Sequence, residues 1–169
     1  MSLSDRRTLL RGLGLLGLAG MAVSACGFSP AYGPNGQASR LQNAILADAP
    51  GNRDQYLLIQ QFEDRLGRGT DGPYTLGYSY TISGARMGVT SDNVTTRANL
   101  VGRVTFSLRD RVTDAVVLRG SVDGFTGYST TGSTTATEAA QRDARRRLAV
   151  LLADKMVTQL MASAGNLPA

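Results

Sequence analysis

The side chains that could carry chemistry in this 169-residue sequence are one cysteine, 13 acidic residues and 18 basic residues, with no histidine among them. The missing imidazole excludes a serine-histidine-aspartate triad, a cysteine-histidine pair and a histidine-ligated zinc site. The acidic residues fall mostly in predicted loops, turns and helix faces, although paired carboxylates of the glycosidase kind stay open because their separation in space does not follow from a sequence. We therefore expect a protein that is not an enzyme and that uses no cofactor or metal ion.

The position of the single cysteine, Cys26, gives it a specific chemistry. Residues 1–25 have the three parts of a secretory signal, which are a basic start, an uncharged apolar stretch and small residues at the end. The apolar stretch is too short to span a bilayer, which requires about 20 apolar residues. Its ending, Val23-Ser24-Ala25-Cys26, resembles the lipobox of bacterial lipoproteins, in which the cysteine is acylated and becomes the new N-terminus. We expect removal of residues 1–25 and attachment to a membrane through lipid on Cys26.

The basic start also bears on the export route. The segment Asp5-Arg6-Arg7-Thr8-Leu9-Leu10-Arg11 has the paired arginines and following leucines of a twin-arginine signal. Paired arginines are common in ordinary signals too, so the general secretory route stays open. The residue after the cysteine is Gly27 rather than aspartate, which resembles the pattern of enterobacterial lipoproteins forwarded to the outer membrane. We expect a lipid-anchored protein on the periplasmic side of that membrane.

The remaining charge does not favour nucleic acid as a partner. Removal of residues 1–25 takes away three arginines and one aspartate, which leaves 15 basic against 12 acidic residues. This excess is small and dispersed. The densest basic run lies on the predicted C-terminal helix, and it is either a solvated face offset by neighbouring acids or a functional cluster. Its members are Arg142, Arg145, Arg146 and Arg147.

The spacing of apolar residues predicts the elements that position these groups. Residues 26–40, rich in glycine, proline and polar residues, are typical of an extended tether, and residues 41–165 form one domain. Apolar residues at three- and four-residue spacing predict a helix within 52–67 and a long helix over 135–163, the latter with a capping box from Thr135 to Glu138. Alternating residues predict strands over 74–83, 100–110 and 115–128, and residues 41–47 form either a short strand, weak near 44–47, or a helical turn.

These elements predict an α+β domain. Strands joined by short links favour an antiparallel meander that is packed on one face only. The fold we expect is a small, mostly antiparallel sheet of three to four strands with two helices packed on one face.

The lipobox region and the element order together resemble a known family. The quoted residues are Ala25-Cys26-Gly27-Phe28, Pro30 and Tyr32-Gly33. With a helix, three strands and a long C-terminal helix after them, the chain resembles the LptE family of lipopolysaccharide-assembly lipoproteins in its alphaproteobacterial form. The resemblance implies a plug inside the LptD outer-membrane β-barrel, which helps that barrel to assemble and binds lipopolysaccharide on its way to the outer leaflet.

Lipopolysaccharide carries phosphates, which arginine side chains bind well. We expect four arginines to contact them: Arg103 and Arg109 on the open strand face, and Arg86 and Arg97 around the loop between the first two long strands. The alternative is an accessory lipoprotein of another envelope machine, such as an ABC-type lipid transporter, and the identity of the partner separates the two functions.

Overall fold

The computed structural model describes residues 36–89 and 95–168. The predicted signal segment, Cys26 and the tether up to residue 35 lie outside these ranges. The elements, in chain order, are a 3-10 turn at Gln37–Leu41, β1 at Ile45–Ala47, α1 at Arg53–Leu66, β2 at Tyr74–Val89, β3 at Thr95–Asp110, β4 at Val116–Ser129, α2 at Thr134–Ser163 and a 3-10 turn at Ala164–Asn166.

The four strands form one sheet in the order β1-β2-β3-β4. β2, β3 and β4 are antiparallel neighbours, whereas β1 runs parallel to β2. The parallel pair follows from the connection, because α1 carries the chain back before β2 begins. The prediction of an α+β fold with a mostly antiparallel sheet of three to four strands and two helices is confirmed.

Two boundaries differ from the predictions. β2 and β3 extend to Val89 and back to Thr95, so the hairpin is longer than predicted, and backbone pairing continues as far as Val89 and Thr95. The long helix begins at Thr134, and its first turn is capped by Ser133, whose hydroxyl accepts from the backbone N–H of Ala136. The predicted capping box at Thr135 is therefore wrong.

The hydrophobic core lies between the helices and one face of the sheet. Fully buried side chains recur every four residues along the C-terminal helix and form a stripe on one side of it. Alternate residues of β2 and β3 face this stripe. By length and composition the stretch Thr134–Asn166 could cross a bilayer, but 44% of its most apolar window is buried inside the domain. The largest core residues include Leu58, Phe62, Leu76, Val104, Leu108, Leu148, Leu152, Met156 and Leu160.

Glycines in β3 and β4 let α2 approach the sheet closely. A Cβ at Gly102 would lie 2.8 Å from Cδ1 of Leu152, and a Cβ at Gly124 would lie 2.8 Å from Cδ2 of Leu151. Real Cβ atoms do not approach carbon atoms this closely, so α2 rests on main-chain surface at both positions. The leucine stripe of α2 fills the space that these two glycines leave.

β4 is one of the two edge strands of the sheet, and α2 contacts it. Lys155 Nζ donates to the main-chain oxygen of Asp123 at 2.6 Å, and Arg147 donates to that of Gly127 at 3.0 Å. Unpaired edges attract further strands, and charged side chains are one means by which proteins protect them. The basic side chains of α2 therefore occupy two carbonyl groups on β4.

Candidate functional site

The face of the sheet opposite the helices is open and polar. Register pairing forms one row of Ser79, Thr105 and Ser121 across β2, β3 and β4, and a second row of Thr81, Arg103 and Asp123. Along each strand these side chains alternate with the buried core residues, because successive side chains of a strand point to opposite faces of the sheet. An apolar pair, Val101 and Phe125, interrupts the polar rows, and both residues are exposed.

The open face contains a shallow trough of about 340 Å³. Its polar lining comes from Gly77, Ser79, Thr105, Ser107 and Arg119. A Cβ at Gly77 would lie 3.4 Å from both the Asp48 carboxylate and the Ser107 hydroxyl, so the absence of a side chain at this position deepens the trough. Hydroxyl groups beside one guanidinium are suited to hydrogen bonds with sugar hydroxyls and phosphate oxygens.

Two of the four predicted arginines, Arg103 and Arg109, lie on the open face as expected, and both are exposed. Arg103 stands directly opposite Asp123 in the register and forms no ion pair with any described residue. Arg109 is 3.5 Å from the Asp114 carboxylate. This ion pair is largely exposed to solvent and therefore weak, so the guanidinium of Arg109 can still donate hydrogen bonds to a ligand.

The other two arginines lie in strands, and their predicted position around a loop is wrong. Arg97 is an exposed residue of β3 that pairs with Met87 and Ser129. Arg86 belongs to β2, where its backbone pairs with Ala98. The hairpin continues past both positions because backbone pairing persists to Val89 and Thr95.

The predicted arginines do not converge on one point. Arg97, Arg103 and Arg109 share one parity of β3 and are six residues apart in sequence. With a rise of about 3.4 Å per residue, neighbouring members are separated by about 20 Å along the strand. They lie along β3 on the open face, and one phosphate group could contact only one of them.

Arg119 is the functional candidate that the sequence analysis missed. It pairs with Ser107, which makes it a diagonal neighbour of Arg109 on the open face. Diagonal neighbours have Cβ atoms about 7–8 Å apart, within the joint reach of two arginine side chains. The alternation of β4 indicated that Arg119 is exposed, but only the register between β3 and β4, with its shift between Leu108 and Arg109, brings it to the trough.

The titratable groups with shifted pKa values do not supply an acid or base for neutral pH. Burial raises the pKa of Tyr78, and the nearby Asp48 carboxylate raises it further. Burial also raises the pKa of Tyr80, with a further increase from Asp54 and an opposing effect of Arg145. Hydrogen bonds from Thr113 lower the pKa of Asp110 in the turn after β3. Both tyrosines therefore stay protonated and Asp110 stays ionised at neutral pH.

Metal ligands do not cluster in the part of the chain that the structure describes, where no three residues of the histidine, cysteine, aspartate and glutamate types come together.

Comparisons with known proteins agree with this architecture. The sequence model of the LptE family, described as lipopolysaccharide-assembly, matches residues 41–160. A candidate lipoprotein from Caulobacter crescentus superposes with a TM-score of 0.65 at 26% identity, over 76% of this chain and 96% of that chain. Rare lipoprotein B from Shewanella oneidensis gives 0.54 at 12% identity, over 72% and 94% of the two chains. A minor lipoprotein from Acinetobacter baumannii gives 0.54 at 19% identity, over 73% and 94%. The last two likenesses concern the fold alone. Comparison with curated sequences gave no match.

Proposed function

This chain belongs to the LptE family of lipopolysaccharide-assembly proteins, and we propose that it is an outer-membrane lipoprotein that plugs an LptD-like β-barrel. In this function it helps the barrel to assemble and to insert lipopolysaccharide into the outer leaflet. Its part is binding and positioning, and it carries out no reaction.

The observation that carries the proposal is the polarity of the open sheet face. The lumen of a large outer-membrane barrel is polar, so a domain enclosed there needs a polar surface. Alternate residues of β2, β3 and β4 supply hydroxyls and arginines over the length of the sheet, as in the row formed by Thr81, Arg103 and Asp123. A sheet face exposed to bulk solvent would be equally well served by lysine and glutamate, so solvent exposure alone does not account for its serines and threonines.

Lipopolysaccharide would bind at the trough. Arg109 and Arg119 supply two neighbouring guanidinium groups, and Ser79, Thr105 and Ser107 supply hydroxyls beside them. Guanidinium groups bind phosphate through two parallel hydrogen bonds, and hydroxyls bind sugar. Arg103 would extend this surface along β3.

The far end of the hairpin would face the barrel wall or the outer part of the ligand. Arg97 and Arg86 lie there, within three residues of the ends of β3 and β2. A photocrosslinking residue at position 97 should form an adduct with the barrel. Adducts that appear only at solvent-facing control positions would contradict this placement.

Attachment to the membrane would follow from the N-terminal segment. We propose that residues 1–25 are removed, that Cys26 is acylated and that residues 26–40 connect the lipid to the domain over residues 41–165. One acyl chain binds a membrane only reversibly, because each buried CH₂ contributes about 0.8 kcal/mol, whereas two or three chains anchor stably.

The direct test is purification of the tagged full-length protein from detergent-solubilised outer membrane, with mass spectrometry of its N-terminus and of every stoichiometric partner. We expect acylated Cys26 and one large β-barrel in equal amount. Acylated Cys26 without a partner, or with inner-membrane transporter subunits, would overturn the plug function and favour the accessory lipoprotein.

The ligand site has a separate test. We expect Arg119→Gln to weaken lipopolysaccharide binding by about fivefold to tenfold, equivalent to about 1–1.4 kcal/mol, the size of one ordinary hydrogen bond on an exposed surface. Arg68→Gln is the matched control, because Arg68 is an exposed arginine at the end of α1 on the other side of the domain. Equal losses in the two variants would mean that only net charge matters.

A further inference from the structure

The two helices border a basic cleft of about 300 Å³ on the side of the domain opposite the trough. Its first half comes from the start of α1 and its second from the N-terminal half of α2. The charged residues that line it are Arg53, Asp54, Arg142, Asp143, Arg145 and Arg146. Three of its four arginines belong to the basic run of α2, which the proposed plug function does not use.

The acidic residues of this basic cleft are already paired. The Asp54 carboxylate accepts from Arg145 at 2.5 Å, an ion pair that joins α1 to α2 and is only partly exposed. Asp143 pairs with Arg147, one turn further along α2. Neither aspartate therefore has its full charge available for the remaining arginines.

Two arginines of the cleft are left without a countercharge. Neither Arg53 nor Arg146 forms an ion pair with any residue in the described part of the chain. Arg142 is 3.9 Å from Glu138, a long and exposed contact that is worth little. Like charges that converge on one concave surface repel each other unless an anion binds between them.

One buried polar group lies next to the cleft. The Asp54–Arg145 pair lies near the buried Tyr80, and the Tyr80 hydroxyl has no hydrogen-bond partner among the described residues. Leu57 and Ala139 supply apolar walls. Apolar walls with a few convergent polar groups are the usual composition of a ligand pocket.

We propose that the basic cleft binds a phosphate ester, held mainly by Arg53 and Arg146. Guanidinium groups from two different helices can take different oxygens of one phosphate, while Arg145 stays fixed by Asp54. A phospholipid headgroup and a phosphorylated glycolipid both present this chemistry. The proposal goes beyond the plug function, because this site lies on the helix layer and needs neither the barrel nor the trough.

The test is calorimetric titration of the purified full-length protein with inorganic pyrophosphate in an uncharged detergent. We expect the double variant Arg53→Gln/Arg146→Gln to weaken binding at least about tenfold, equivalent to 1.4 kcal/mol. The double variant Arg40→Gln/Arg68→Gln removes the same charge from exposed positions outside the cleft and should change affinity less than about twofold. A preserved circular dichroism spectrum and unfolding temperature show that each variant is folded.

Equal losses in the two double variants, or no loss in the first, would overturn the proposal. Arg53→Lys/Arg146→Lys keeps the positive charges but removes the paired N–H donors of the guanidinium groups, so we expect an intermediate affinity. Full wild-type affinity in this variant would contradict bidentate binding. Mixed micelles that contain phosphatidylglycerol or lipopolysaccharide identify the source of the phosphate. The lipid that occupies the cleft should bind the wild-type protein more tightly than the Arg53→Gln/Arg146→Gln variant, and the other lipid should bind both equally. The plug function is tested by its barrel partner, so a purification that recovers no barrel contradicts the plug function, whereas an unchanged pyrophosphate affinity in Arg53→Gln/Arg146→Gln contradicts this site.

Discussion

Replacement of Leu152 by alanine should destabilise the domain by about 3–5 kcal/mol, the upper part of the range for buried leucines. Leu152 is fully buried, and its methyl groups lie over Gly102 and Gly124. A glycine has no side chain that can move into the vacated space, and the sheet backbone is fixed by pairing on both sides of β3. The cavity therefore stays open, and its cost adds to the lost transfer free energy of the side chain.

A second substitution makes this prediction sharper. Gly102→Ala alone brings a methyl group 2.8 Å from Leu152 Cδ1 and 3.0 Å from Leu148 Cδ2, so we expect a loss of about 1–3 kcal/mol from overpacking. In the Leu152→Ala background the same methyl enters the cavity. The double variant should be more stable than additivity predicts by about 1–2 kcal/mol.

Equilibrium urea unfolding followed by far-ultraviolet circular dichroism measures these free energies, and the lack of tryptophan makes intrinsic fluorescence less useful. Leu151→Ala provides the comparison on the next residue of α2, and it should cost only about 1–1.5 kcal/mol because Leu151, although it also contacts Gly124, is 36% exposed. A loss below about 1 kcal/mol for Leu152→Ala, or additivity within about 0.5 kcal/mol in the cycle, would refute the argument that α2 rests on glycines.

Three further predictions concern polar groups. Tyr80→Phe removes a buried hydroxyl without a partner among the described residues, so thermal unfolding should show a gain of about 1 kcal/mol; a loss would mean that this hydroxyl is bonded. Asp110→Ala should destabilise the turn after β3 at neutral pH, and the difference from wild type should shrink as pH falls through the lowered pKa of Asp110, because stability from a depressed pKa is lost on protonation. Urea midpoints across the acidic range measure this, and a difference that is constant with pH would contradict it. Lys155→Met removes the donor to the Asp123 carbonyl on edge strand β4, so light scattering should show association that increases with concentration; a strictly monomeric variant would argue against edge protection.

The parts of the fold that follow from local pattern were predictable from the sequence. Alternation in β2 and β3 indicated which residues face the core, as Leu76 and Val104 do, and the four-residue stripe of α2 indicated its buried side. Both patterns reflect burial of one face of an element, which depends on neighbours close in sequence. The weak strand near 44–47 also exists, as Ile45–Ala47.

The parts that depend on partners far along the chain were not predictable. Gly69 and Gly72 let the chain before β2 approach Ala44 closely, because a Cβ at Gly72 would lie 2.2 Å from the Ala44 carbonyl oxygen, and the sequence pattern does not indicate this approach. The continuation of the β2–β3 hairpin depends on backbone pairing, which leaves no apolar pattern. Arg119 was missed for a related reason, since its place beside Arg109 is decided by register between strands.

The order of the chain affects how the domain forms. The long helix that closes the core comes after every strand, and two contacts join residues far apart in sequence: the Tyr74 hydroxyl donates to the Pro168 carbonyl at 2.7 Å, 94 residues away, and Arg65 contacts Asp154 at 2.8 Å, 89 residues away. Until α2 has emerged, the apolar face of the meander has nothing to pack against. A chain that crosses a membrane unfolded therefore presents this face to other chains until its C-terminal helix is released, and such intermediates aggregate readily.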